Sequence, residues 1–122
     1  MSTQDSCVSP APYFTAHPGK LAEFKGLCDQ MVQKTSEEPG ALYCGFAFDG
    51  DHAFSREGYA NADAWISHLG NIGAIFGEML KVADLTRLEV HGTADELVKV
   101  RKALADMGIT AQLFALECGF RR

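Results

Sequence analysis

The chain contains no long apolar run. Nothing approaches the roughly 18 consecutive apolar residues of a membrane-spanning helix, so no membrane partner is expected. Met1 to Pro12 is polar and has no apolar core, which predicts that there is no secretory signal. Basic residues are also scarce. Eleven Lys and Arg stand against sixteen Asp and Glu, a net charge of -5, and the terminal pair Arg121-Arg122 is too small to count as a basic patch. Without a basic stripe, nucleic acid is not an expected partner. The four cysteines (Cys7, Cys28, Cys44 and Cys118) are irregularly spaced with no C-x-x-C. They read as buried or tail thiols of a cytoplasmic protein rather than as a zinc site. Asp49, Asp51 and His52 read as turn residues, so no metal is expected. Glycine-rich phosphate loops, nucleotide fingerprints and nucleophile elbows are missing too. A flavin or nicotinamide cofactor is therefore not indicated.

What remains is one compact domain over residues 1–122, with no internal repeat. Its 47% hydrophobic content is enough for a core. Residues 1–10 read as a loose arm that tightens into a strand over Ala11 to His17. Pro12 should place the start of that strand at an edge or in an irregular position, because it has no N–H to donate. After Pro18-Gly19, a helix runs from Gly19 to Ser36 with Leu21, Phe24, Cys28, Met31, Val32 and Thr35 on one face. Glu37-Glu38-Pro39-Gly40 stops it. Strands Ala41 to Phe48 and Ala53 to Tyr59 flank Asp49-Gly50, a hairpin signal.

Asn61 caps the next helix, with Asp63 in its first turn. Trp65, Leu69, Ile72, Phe76 and Met79 share its apolar face. Gly70, Gly73 and Gly77 each weaken a helix by about 1 kcal/mol relative to Ala, which predicts a kink or break near Gly70-Asn71. A strand spans Leu85 to His91, with Leu85, Arg87, Glu89 and His91 alternating against Thr86, Leu88 and Val90. Thr93 and Glu96 form a capping-box pattern, in which each side chain satisfies a free backbone donor of the other. The helix they open runs to Met107 and ends at Gly108. Ala111 to Leu116 is the last strand.

The order β-α-β-β-α-β predicts an α+β fold: a ferredoxin-like antiparallel sheet with helices on one face. Residues 93–122 add an αβ unit. The uncovered sheet face predicts a two-fold homodimer, which would be obligatory if that face were apolar.

Phe54 to Asn71 is the stretch on which the functional reading turns. It passes from strand to helix and holds the single tryptophan, one of the four histidines and an Arg-Glu pair. Glu57 and Tyr59 fall on one strand face, while Phe54, Arg56 and Gly58 fall on the other.

Over about its first 80 residues the chain resembles the antibiotic biosynthesis monooxygenase group of the dimeric α+β barrel superfamily. The matching features are His17-Pro18-Gly19-Lys20 followed by Phe24; Glu38-Pro39-Gly40; and Glu57, Tyr59, Ala64 and His68. The resemblance implies a cofactor-independent monooxygenase or quinol oxidase acting on a small aromatic or polyphenolic substrate in an apolar pocket. On that reading His68 is the base and Glu57 its partner. Tyr59, Trp65, Asn71 and Phe24 contact the substrate, and no cofactor is used. Gly73 stands where many members carry a second histidine. No histidine lies between Leu69 and Val82, which argues against haem.

The residues also support plainer readings. His68, three residues after Trp65 and four before Ile72, borders the apolar face. It suits either a satisfied structural histidine or a proton acceptor. Glu57 could pair with Arg87, His68 or a lysine, or act as a general base. Trp65 could be a core anchor. Asn71 could cap a broken helix or donate to an oxyanion. A non-catalytic ligand-binding or structural dimer, and an isomerase or decarboxylase, stand as alternatives.

Overall fold

The computed structural model describes residues 3–122. Eight elements follow the expected order: β1 (Ser9–Ala16), α1 (Leu21–Thr35), β2 (Ala41–Asp49), β3 (His52–Tyr59), α2 (Ala62–Met79), β4 (Ala83–Gly92), α3 (Ala94–Met107) and β5 (Gln112–Ala115). The strands lie in the order β2-β3-β1-β4-β5. The first four pair antiparallel, as a ferredoxin-like sheet requires. β5 joins β4 in parallel. A hairpin cannot make that connection, so α3 serves as the crossover. The C-terminal unit thus extends the sheet at the β4 edge. It also lays Leu97, Val100 and Leu104 against Trp65 and Tyr59, on the face that α2 covers.

β1 is the middle strand, not an edge strand, despite its prolines. Its irregularity lies in the pairing with β3. Val8 and Tyr59 exchange two backbone hydrogen bonds at 2.9 Å, and the ladder resumes at Tyr13↔Phe54. In that register Pro10 lies opposite Glu57 and Pro12 opposite Ser55, at positions whose N–H would face β3. Neither proline has one. The Ser9 hydroxyl supplies one missing donor, reaching the Glu57 carbonyl at 2.6 Å. The arm before β1 is also tied down. Ser6 Oγ donates to the Ala60 carbonyl at 2.7 Å, and Arg121 pairs with Asp5.

α2 runs unbroken from Ala62 to Met79, through the glycines expected to interrupt it. Burial of Trp65, His68, Ile72 and Met79 outweighs the weak propensity, as tertiary packing commonly does. In β4 the alternation changes phase. A register shift between Tyr13 and Phe14 leaves Thr86 unmatched, so Leu85 faces the helices together with Leu88 and Val90. The sequence pattern had placed Leu85 with Arg87, and a bulge of this kind is what resets such a phase.

The capping box at α3 is half formed. Thr93 Oγ1 accepts from the Glu96 amide at 3.4 Å. The Glu96 carboxylate turns away and accepts from the Ala62 amide at 2.8 Å. Ala62 opens α2, where four amides lack helical partners. Glu96 therefore caps a neighbouring helix instead of its own. Together with Lys99–Asp63 at 3.3 Å, it fastens the N-terminal ends of α2 and α3.

The sheet face away from the helices is mixed rather than apolar. Tyr13 packs on Phe54 at 4.9 Å, and Arg56 lies over the Tyr43 ring at 5.4 Å. Tyr43 rests on Gly58, where an added Cβ would fall 2.2 Å from the ring. Arg87 bonds Glu89 and Gln112, and His91 bonds Glu89. Among the described residues, no helix is long and apolar enough to cross a membrane.

Glu96→Ala removes a charged acceptor from a helix start. It should lower the unfolding free energy in urea by roughly 1–2 kcal/mol. Glu96→Gln, whose amide oxygen can still accept, should lose clearly less. Equal losses in the two variants would mean that the contact to Ala62 contributes nothing.

Candidate functional site

The site begins with a strand residue that faces inward. Glu57 lies on the helix-covered face of β3 with only 4% of its surface exposed. A buried carboxylate is costly unless its oxygens are hydrogen-bonded or its charge is paired. Tyr59, two residues along and on the same face, donates its phenol to Glu57 Oε1 at 2.7 Å. Burial, and then the neighbouring Glu57 charge, hold the Tyr59 phenol far above its ordinary pKa, so it remains a donor.

His68 comes from α2, where one turn separates it from Trp65, and it is 3% exposed. Its Nδ1 meets Glu38 Oε2 at 2.8 Å and Oε1 at 3.1 Å. Its Nε2 lies 3.7 Å from Glu57 Oε1. Its ring packs on Tyr59 with centroids 4.7 Å apart. A carboxylate can only accept, so the Nδ1 contact places the hydrogen on Nδ1 and turns the Nε2 lone pair toward Glu57. The result is a buried chain Glu38–His68–Glu57–Tyr59.

Glu38 sits in the turn after α1. Asn71 Nδ2 donates to the same Oε2 at 2.8 Å, one helical turn beyond His68. That turn can approach α2 because residue 40 is glycine: a Cβ there would lie 2.6 Å from the Ala64 Cβ. Glu38 is the site residue that sequence reasoning missed. Its signals were its place in Glu38-Pro39-Gly40, read as a helix stop, and the share of that segment in the family resemblance; neither gave it a role in the site. Nothing local ties it to a histidine thirty residues away.

Glu57 and His68 open onto a cavity of about 310 Å³, within the range of small-molecule sites. It lies between the two core clusters. Phe14, Met31 and Ile72 line it from one, and Trp65 and Leu104 from the other. The C-terminal unit supplies part of its wall through Leu104, Met107 and Ile109. Apart from Glu57 and His68 the lining is apolar.

Of the residues singled out from the sequence, the structure brings Glu57, His68 and Trp65 to the cavity wall. Tyr59 is fully buried behind Glu57. Asn71 binds Glu38, and neither it nor Tyr59 lines the cavity. Phe24 is fully buried against Phe14 and Phe48, also away from the lining. Arg87, one partner considered for Glu57, bonds Glu89 and Gln112 instead. Among the described residues, no group of three or more His, Cys, Asp or Glu side chains is arranged to hold a metal. Glu38 and Glu57 meet opposite nitrogens of one ring and do not converge on a common point.

This fold is the dimeric α+β barrel fold of the antibiotic biosynthesis monooxygenases. One such protein aligns at 16% identity over 68% of this chain and 92% of its own, with a TM-score of 0.61. SnoaB from Streptomyces nogalater, a cofactor-independent oxygenase, aligns at 17% identity over 70% of this chain and 88% of its own, with a TM-score of 0.60. MupZ from Pseudomonas fluorescens matches far more of the molecule: 40% identity over 95% of this chain and 94% of its own, with a TM-score of 0.88. The chain belongs to the family of MupZ, on the antibiotic biosynthesis monooxygenase fold. No family model and no curated protein sequence matches it.

Burial also governs the thiols. Cys28 and Cys44 are pushed up to about 12, chiefly by burial, with Asp29 adding to Cys28 and Glu57 to Cys44. Burial raises Cys7 as well. Cys118 is exposed. A thiol reagent at pH 8 should therefore label one cysteine of the native chain, Cys118, and the other three only after unfolding, because the thiolate is the reacting form. Cys44 is only half-buried, so its rapid labelling in the native chain, read by mass spectrometry of peptides, would contradict the raised pKa and not the fold.

Proposed function

We propose that this protein is an acid–base enzyme that removes a proton from a small apolar substrate, with His68 as the base. The observation that carries this is the position of His68, held by Glu38 at Nδ1, facing Glu57 at Nε2, and set in the wall of an otherwise apolar cavity. Glu38 fixes the tautomer. Glu57 stands where it stabilises the imidazolium formed when Nε2 takes the proton. Tyr59 fixes the Glu57 carboxylate.

The reaction we propose is cofactor-independent oxygenation or quinol oxidation of an aromatic or polyphenolic substrate. Deprotonation of an anthrone-like methylene gives an electron-rich anion. The anion passes an electron to O2, the radical pair joins as a peroxide, and loss of water leaves the quinone. One oxygen atom enters the product and the other leaves as water. A hydroquinone would instead give two electrons and two protons to O2, forming hydrogen peroxide. The enzyme would act as a cytoplasmic homodimer, its mixed sheet faces packed together through Tyr13, Phe54 and the Arg87–Glu89 pairs.

A second reading is favoured by one feature. Glu57 offers a second proton-transfer group 3.7 Å from His68. Removal and return of a proton, as in an isomerisation, or proton delivery after decarboxylation, needs that pair and no oxygen. Turnover under strict anaerobiosis separates the two readings.

On a substrate found by screening hydroquinones and anthrones for oxygen uptake, His68→Ala should lower kcat roughly 10²–10⁴-fold. Glu38→Gln keeps an acceptor but loses the charge. Its kcat should fall between those of the parent and His68→Ala, with KM little changed. If His68→Ala turns over like the parent enzyme, His68 is not the base. Binding without turnover of any kind would assign the chain to the ligand-binding members of this fold.

A further inference from the structure

The cavity is a groove with its chemistry at one end. α2 presents one stripe to it, from Trp65 through His68, Ile72, Gly73 and Phe76 to Leu80 at the helix end. That run covers about 22 Å of helix. Beyond His68 the stripe offers no polar side chain. The N-terminal ends of α2 and α3 are fastened by Glu96 and Lys99. The groove lies where the two helices run on toward their C-termini. Its lining includes Leu80 and Met107, at the C-terminal ends of α2 and α3, which are 42% and 44% exposed although both are large and apolar. Gly73 lies near the middle. It is exposed on the rim, and a Cβ added there would meet nothing within 4 Å, so a larger side chain at 73 can reach across the opening.

We infer that the substrate is a linear amphiphile, with one polar reactive head at Glu57 and His68 and an unbranched apolar chain laid along α2 to the gap between Leu80 and Met107. The reactive head rests on the acid–base reading above; the chain rests on the groove alone. A compact ring system seated at His68 would leave the far half of the stripe wet. A chain covers it, and it also covers the exposed apolar pair at the mouth. The head can be a phenol or an enol, since each offers an acidic proton toward His68 Nε2; an alkanol reports binding only. The chain would give the enzyme its preference among such heads.

Trp65 is the only tryptophan and lines the groove, so binding can be followed by its fluorescence without turnover. The probes are n-alkan-1-ols of six to twelve carbons, with 1-naphthol as the compact comparison. Affinity should rise about fourfold per methylene and level off once the chain reaches the mouth. Gly73→Leu, a change that also favours the helix, should leave the shortest alcohol unaffected and weaken the longest at least tenfold. Leu80→Gln, at an exposed position, should weaken only the longest members, and it serves as the test if Gly73→Leu does not fold. A flat series with 1-naphthol bound more tightly would overturn the linear substrate. So would a rising series indifferent to both substitutions, or a Trp65 signal that answers to none of the probes. His68→Ala should keep the chain-length dependence whether or not it abolishes turnover. The groove and the acid–base assignment therefore fail separately.

Discussion

A carboxylate buried on a sheet is a demand that the rest of the structure must meet, and Glu57 makes that demand at the centre of this fold. Its oxygens need donors and its charge needs a partner. Tyr59 meets part of this from the same strand with its phenol, and the His68 ring packs on that phenol from α2, with Nε2 3.7 Å from the same carboxylate oxygen. His68 is then itself a buried polar ring with a second nitrogen to satisfy, and Glu38 takes that one. Each member answers a requirement created by the previous one. The chain closes where Glu38 reaches the protein surface, beside the exposed Asn71. The backbone is arranged around the same point. The prolines that remove donors from β1 lie opposite Glu57 and Ser55, and Ser9 restores one of the lost bonds at the Glu57 carbonyl.

A second constraint follows from the size of the sheet. Four strands and two helices would leave α2 with one flank open. The added unit sets α3 on that flank, fastened at the N-terminal ends by a carboxylate that would ordinarily cap α3 itself. Fastening at one end and not along the whole length leaves space between the helices. That space is the cavity, and α3 is its outer wall. The extension could have served a dimer contact, the closure of a barrel end or a pocket wall; within one chain, the geometry displays the last of these.

What the residues disclosed in advance depended on range. Helical spacing placed His68 beside Trp65 and Ile72, and strand alternation placed Glu57 with Tyr59, because both patterns are local. The order of elements was legible for the same reason, and so was the ferredoxin-like topology. The misreadings share the opposite property. Pro12 looked like an edge residue because nothing local records that β1 is flanked by β3 on one side and β4 on the other. Gly70 and Gly73 looked like a break because the burial holding α2 straight comes from other elements. Thr86 shifted the phase of β4 by a bulge that only the partner strand defines. Glu38 and Glu96 were both assigned to the ends of their own helices, whereas each works for α2. In both cases the side chain type was read correctly and its target was decided by tertiary approach, at Gly40 and at Ala62.

Gly73 is an exposed position of α2 on the rim of the groove beside this network. A leucine there would improve the helix by up to about 1 kcal/mol, and its Cβ would meet nothing within 4 Å. A sequence under no demand but stability would be better served by that leucine. The position is not isolated. It lies on the same stripe as His68, faces the wall that α3 supplies, and continues to apolar side chains left half exposed at the mouth. A packing flaw would be one missing side chain surrounded by otherwise close contacts. Here the groove, the polar pair and the exposed apolar rim form one connected surface. An apolar groove joined to a buried histidine and carboxylate is the arrangement on which the proposed proton transfer rests.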